Sequence, residues 1–162
     1  LSHALWGGGL YGYRGYFWLA VFFGAFPDLM SFGALFAQQF FNGNHVVGAP
    51  PLHTIPDWVF INYDIAHSFV TAFTVIGLVA WWRKDIAFAM LGWPFHVVLD
   101  APFHTSAYFP THIIYPFSDF FIEGVPWTHP LVWFPNLAGI VILFGWRWRQ
   151  SRLGARAESD SV

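Results

Sequence analysis

Lysine and arginine occur at only seven places in this chain: Arg14, Arg83, Lys84, Arg147, Arg149, Arg152 and Arg156. Long apolar stretches lie between them. Charged residues make up 10% of the sequence, against about 25% in a soluble domain. A surface so poor in charge cannot face water on every side, and a lipid bilayer is the expected solvent. Aromatics at 22% suit contact with lipid and with both membrane interfaces. The near-neutral balance argues against a nucleic-acid partner. The absence of cysteine removes disulfides and thiolate metal ligands from consideration. No cleavable signal pattern is read at the N-terminus.

Apolar segments are read at Ala4–Tyr13, Tyr16–Phe26, Leu29–Phe41 after a break at Pro27, Trp58–Trp82, Ile86–Asp100 and Leu131–Trp148. A crossing takes about 20 residues. Trp58–Trp82 clearly meets that length, Leu131–Trp148 nearly does, and the first two form a short hairpin packed inside the bundle. The fold class expected is all-α: a polytopic membrane bundle of about five membrane-embedded helices. An aromatic interfacial lid, Pro102 to Pro130, lies between the last two. Residues 1–149 are read as one membrane-embedded domain and 150–162 as a polar tail. Five alternating crossings place every basic residue on one side, which the positive-inside rule makes cytoplasmic, together with the C-terminus. The expected location is a bacterial inner membrane.

The stretch from Gly92 to His104 carries the chemistry. His96, Asp100 and His104 recur every four residues, a spacing that returns to nearly the same helix face. Imidazoles and a carboxylate on one stripe suit a divalent metal. An ionisable residue in lipid is costly and marks a functional site by default. The competing reading is a buried His–Asp hydrogen bond that pins two helices. Pro102 interrupts the stripe, so His104 is expected on a turn curling over the site.

His67 follows Asp64 at i+3, so Asp64 can orient His67 or accept a proton. Asp28 follows an apolar helix, where an N-cap is the simplest role. His3 is a lone histidine near the terminus. At the helical rise, His3, Asp28, His67, His96 and Asp100 all fall about 17–24 Å from the basic residues, in one layer. His45, His53, His112 and His129 lie in loops and are expected to be interfacial or solvated. Asp119 and Glu123 are expected at polar edges of the lid. Gly7–Gly9 is read as a place of close helix approach. Trp146-Arg147-Trp148-Arg149 is read as an interfacial anchor.

With Ser2-His3, Pro27-Asp28, His67-Ser68, His96-x-x-x-Asp100 and Pro116-Phe117-Ser118 in this order, the chain resembles the YdjM-like family of integral membrane proteins, predicted metal-dependent hydrolases. The resemblance runs from the N-terminus to about Ser118. It implies that His3 and Asp28 join His67, His96 and Asp100 as metal ligands. Two departures stand out. Met30 and Ser31 occupy the region where many members carry a second acidic residue, and His104 is more basic than expected. The family is distantly similar to the all-helical zinc-dependent phospholipase C group, which makes a phosphoester the first substrate class by analogy.

The expected activity is therefore metal-dependent hydrolysis of an ester or phosphoester, lipid included, from the outer leaflet. One or two divalent metals, zinc by preference, sit among His3, Asp28, His67, His96 and Asp100, with His104 as a further candidate. Asp64 or Asp28 is the expected general base. The rival is a non-catalytic subunit of a larger membrane complex that keeps the cluster as a structural clamp.

Overall fold

A computed structural model describes residues 1–44, 48 and 50–159, and side chains as far as residue 154. Eight α-helices are present among them: α1 (Ser2–Tyr11), α2 (Phe17–Asp28), α3 (Ala34–Phe41), α4 (Asp57–Ala66), α5 (Phe69–Trp82), α6 (Lys84–Met90), α7 (Gly92–Asp100) and α8 (Pro130–Ser159). No strand occurs among the described residues. The all-α expectation holds. The segment between α7 and α8 is irregular, and α8 runs on into the polar tail.

Two helical stretches are long and apolar enough to cross a bilayer, Phe17–Phe41 and Pro130–Gly154, each of 25 residues. At the helical rise each reaches about 38 Å, beyond a hydrocarbon core of about 30 Å. A third span exists if α4 and α5, bent by 57°, count as one. The helices α1, α6 and α7 have 10, 7 and 9 residues and are too short to cross alone.

Of these two long segments, Pro130–Gly154 lies where the sequence suggested one, over Leu131–Trp148, and Phe17–Phe41 does not. Pro27 was expected to end a helix, yet it lies inside α2, and the chain continues through a π turn at Leu29–Gly33 into α3. Proline removes one amide donor. The wider turn re-registers the ladder, and the Ser31 hydroxyl donates to the Pro27 carbonyl at 3.1 Å.

The expected single helix Trp58–Trp82 breaks instead at His67–Ser68. Several groups at the break find partners outside the regular helix ladder. Ser68 Oγ caps α5 by accepting from Val70 N at 3.1 Å, and it donates to the Tyr115 carbonyl at 2.6 Å. Phe69 N donates to the Ile113 carbonyl at 3.0 Å. Trp93 Nε1 donates to the Ala66 carbonyl at 2.6 Å. The break is thus stabilised by helix capping and by the segment before α8.

Three glycines set the packing of α1, α2 and α7. A β-carbon on Gly7 would lie 2.4 Å from the Ala20 carbonyl oxygen, and one on Gly24 would lie 2.4 Å from the His3 carbonyl oxygen. One on Gly92 would lie 2.9 Å from the Ala20 oxygen and 3.0 Å from Gly24 N. Backbone touches backbone here, the small-residue packing typical of membrane helices. The long helix α8 lies against α1, tied by a 2.7 Å hydrogen bond from Trp6 Nε1 to Asn136 Oδ1. Its outer face stays bare: Leu131, Val141 and Ile142 are all exposed.

Basic side chains gather at the far end of the bundle from the break. Arg14 stacks on the Phe88 ring, Arg147 donates to the Gly9 and Leu10 carbonyls, and Arg83 holds Asp85 and the Tyr16 hydroxyl.

Candidate metal centre

Each glycine of that contact lies one helical turn from an ionisable side chain. His3 precedes Gly7 by four residues, Asp28 follows Gly24 by four, and His96 follows Gly92 by four. Asp100 adds a further turn of α7. Helices whose backbones touch bring the side chains of the next turn together, so the tight floor positions the cluster above it. His67 reaches the same place because α4 ends there: it is the C-cap residue at the break.

The result is a compact set of donors. His67 Nε2 lies 3.2 Å from Asp100 Oδ2, His96 Nε2 lies 3.0 Å from it, and the two Nε2 atoms are 3.2 Å apart. Asp28 Oδ1 stands further off, 3.9 Å from His67 Nε2 and 3.7 Å from His96 Nε2. One ligand atom from each of these four residues falls within 4.8 Å of every other. His67, His96 and Asp100 are buried, whereas the Asp28 side chain is 43% exposed. Asp28 does not cap a helix; its carboxylate is free for the cluster.

Ring orientation decides what this set can do. His67 Nδ1 is 2.9 Å from the Tyr63 carbonyl, and His96 Nδ1 is 2.7 Å from the Gly24 carbonyl. A carbonyl only accepts, so both Nδ1 atoms carry the proton, and a neutral ring then presents a lone pair at Nε2. Two lone pairs and two carboxylates converge with no donor among them. Such an arrangement is repulsive unless a cation shares the space. Zinc with ligands about 2.0 Å away in tetrahedral array separates them by about 3.3 Å. The His67–His96–Asp100 triangle matches that spacing, so these residues fit a divalent metal. The backbone bonds at Nδ1 are what orient metal-binding histidines.

His3 and His104 flank the other oxygen of Asp100. His3 Nε2 is 3.1 Å from Asp100 Oδ1, and its Nδ1 is 3.7 Å from Asp28 Oδ2. His104 Nε2 is 3.9 Å from Asp100 Oδ1. It sits past the end of α7 on the turn the sequence implied, with Nδ1 held at 2.8 Å by the Phe109 carbonyl and by the Tyr63 hydroxyl. Phe109 adopts φ 51°, a left-handed backbone uncommon for a bulky residue. This conformation is overdetermined by its buried ring, which packs on Phe32 and Phe60.

Two expectations need correction. The imidazole of His67 is oriented by the Tyr63 carbonyl rather than by Asp64. The Asp64 carboxylate instead meets His112 Nδ1 at 2.8 Å. Of the two settings expected for His112, interfacial or solvated, the second does not hold: it is half-buried and paired with Asp64. His53 and His129 are exposed as expected, as are Asp119 and Glu123, with Glu123 accepting from Ser106 N. His45 lies outside the described residues.

Sequence reasoning missed Tyr63. Its ring stacks on His67 at 3.7 Å, and its hydroxyl joins His104 to Thr111 at 2.9 Å. The signal was present, since Tyr63 precedes His67 by one turn and shares its stripe. Thr111, in an irregular segment, left no comparable sign.

No family model, curated protein or solved structure matches this chain.

Proposed function

We propose that this chain is a membrane-embedded, metal-dependent hydrolase of the YdjM-like kind, acting on an ester or phosphoester with lipids among its substrates. The observation that carries the reading is the His67–His96–Asp100 triangle, with both Nδ1 protons committed to carbonyls. His67, His96 and Asp100 hold the metal, zinc by preference, with Asp28 at the open edge and His3 steadying Asp100. When bound, such an ion supplies Lewis acidity for an ester or phosphoester oxygen and acidifies water. Three close protein ligands with a looser fourth suit a catalytic rather than a purely structural zinc site.

The chain's own residues divide the remaining work. Asp28 is the exposed carboxylate of the cluster and takes the proton from the attacking water. That proton passes to the lone pair at His104 Nε2, which faces the same space because Nδ1–H is committed to the Phe109 carbonyl, and from there to the leaving oxygen. Water adds to the carbonyl carbon or phosphorus, and the bond to the leaving oxygen breaks. Asp64 is a weaker candidate for base because it is paired with His112.

We place about five helices in the membrane, α1, α6 and α7 embedded against the longer spans. The cytoplasmic face of a bacterial inner membrane receives the basic end and the C-terminus, following the positive-inside rule. The cluster then opens toward the outer leaflet beneath the segment joining α7 to α8.

Elemental analysis of purified protein tests the reading. About one equivalent of zinc is expected in the wild type, and less than a tenth of that in His96→Ala and Asp100→Ala. Hydrolysis of a chromogenic phosphodiester or ester should disappear with the metal and return when zinc is restored. Metal-free wild-type protein that purifies only with partner subunits would replace this reading with the accessory-subunit one.

A further inference from the structure

At the basic end, α1, the start of α2 and α8 enclose a groove with a cavity volume of about 380 Å³. Gly8, Gly9 and Gly12 line its floor, with Phe17 packed against Gly8 and Gly12 and Leu143 against Gly9, and its walls include Phe17, Phe144 and Trp148. Arg147 and Ser151 stand in the same lining. The groove lacks ionisable side chains apart from Arg147 and the tyrosine phenol of Tyr13, so it has no part in the metal chemistry.

The charge beside it is uncompensated. Arg147 Nε donates to the Gly9 carbonyl at 2.9 Å and Nη2 to the Leu10 carbonyl at 3.3 Å, which fixes the guanidinium without neutralising it. Its plane lies over the Tyr13 ring at 4.2 Å. Arg14 rests on the Phe88 ring at 4.0 Å, and Arg152 on Trp148 at 5.3 Å. No carboxylate pairs with any of these three among the described residues. Arg83 shows the contrast, since Asp85 neutralises it at 2.9 Å. Arg147 in the lining, with Arg14 and Arg152 nearby, thus sets three cations that no carboxylate pairs among the described residues beside an apolar trough.

From this juxtaposition we infer that the groove binds an anionic phospholipid, one acyl chain along the glycine floor and the phosphate at Arg147. An apolar trough alone accepts any acyl chain, and exposed cations alone attract any anion. An amphiphile with a negative headgroup satisfies both at once. Arginine is suited to the phosphate because its planar donors match phosphate oxygens and its charge persists at every physiological pH. An anionic leaflet on the side of the basic residues supplies such a lipid.

Native mass spectrometry of the full chain in detergent, with equimolar phosphatidylglycerol and phosphatidylcholine, tests the inference. The wild type should retain phosphatidylglycerol in preference to phosphatidylcholine. Arg147→Gln should reduce that preference roughly five-fold, in line with the worth of one basic residue near an anionic surface. Because Arg147 also ties α8 to α1, Ser151→Glu is the second variant: it keeps the Arg147 side chain but places a negative charge in the lining, one helical turn from it at an exposed residue, and should suppress the preference. Equal retention of the two lipids by the wild type, or a preference unchanged in both variants, overturns the inference. Metal content is measured in parallel, so failure here stays separate from failure of the hydrolase reading.

Discussion

At the level of single residues, the cluster is organised by bonds that never touch its centre. His67 and His96 are each aimed by a carbonyl, and His104 by a carbonyl and a phenol. Tyr63 does most of this: its carbonyl orients His67 and its hydroxyl meets His104 and Thr111. Tyr63→Phe keeps the carbonyl and the ring but removes the hydroxyl. The loss should cost about 1–2 kcal/mol, the usual cost of a buried hydrogen bond whose partner is left behind. Zinc content should stay near that of the wild type, while hydrolysis falls because His104 is less well held. Thermal unfolding in detergent, elemental analysis and a rate measurement read the three effects separately. The stripe of His96 and Asp100 was legible because helical periodicity alone puts the two on one face. The depth of His3, Asp28 and His67 was legible for a similar reason. The pairing of Asp64 with His112 was not, because it depends on an irregular segment whose path leaves no period in the sequence.

Among the helices, the informative positions carry no functional group. Gly24 sits where a β-carbon would strike the His3 carbonyl oxygen at 2.4 Å, and backbone on both sides leaves nothing flexible to yield. Gly24→Ala should therefore force α1 and α2 apart and destabilise the protein by about 1–3 kcal/mol or more, the range for overpacking. It should also weaken metal binding, since His3 and Asp28 move with their helices. Gly77→Ala on α5 is the control: a β-carbon there meets nothing within 4 Å. It should stabilise α5 by up to about 1 kcal/mol through helix propensity and leave zinc content unchanged. Melting curves and metal content of the two variants side by side check both statements. The glycine run was legible as a place of close approach, but its partners Gly24 and Gly92 were not singled out. Pro27 and the His67–Ser68 break show the limit of local rules. Proline usually ends a helix, yet here a π turn absorbs it. A long apolar run usually continues, yet here Ser68, a good N-cap residue, starts a new helix.

The start of α6 carries a pH-sensitive tie between segments distant in sequence. Arg83 donates to both oxygens of Asp85, at 3.1 and 2.9 Å, and to the Tyr16 hydroxyl at 2.9 Å. Hydrogen bonds from Arg83 and Tyr16 hold the Asp85 carboxyl well below its ordinary range. A depressed folded value means the contribution is present above the unfolded pKa of about 3.9 and is lost as pH falls through the lower folded value. Asp85→Asn should therefore melt below the wild type at pH 6, and the gap should close as the pH is lowered toward 2. The pair is exposed, so the effect is small and salt should reduce it.

For the whole molecule, the arrangement is polarised: the basic side chains at one end, of which Arg83 alone is paired with a carboxylate among the described residues, the histidine–aspartate cluster near the other, apolar surface between. The basic residues converge although they come from widely separated parts of the sequence, which is the pattern alternating crossings would produce. That pattern makes a topology prediction that the absence of cysteine renders simple to check, because no native thiol needs removing. Ser151 lies on α8 at the basic end and is exposed; Ser118 lies in the segment before α8 and is exposed. In intact cells, Ser118→Cys should react with a membrane-impermeant maleimide added outside. Ser151→Cys should stay unlabelled until the membrane is opened. Labelling of both from outside would place the two residues on one face and remove the crossing by α8. Labelling of Ser151→Cys alone would invert the orientation, and the cluster would then have to draw its substrate from the cytoplasmic leaflet.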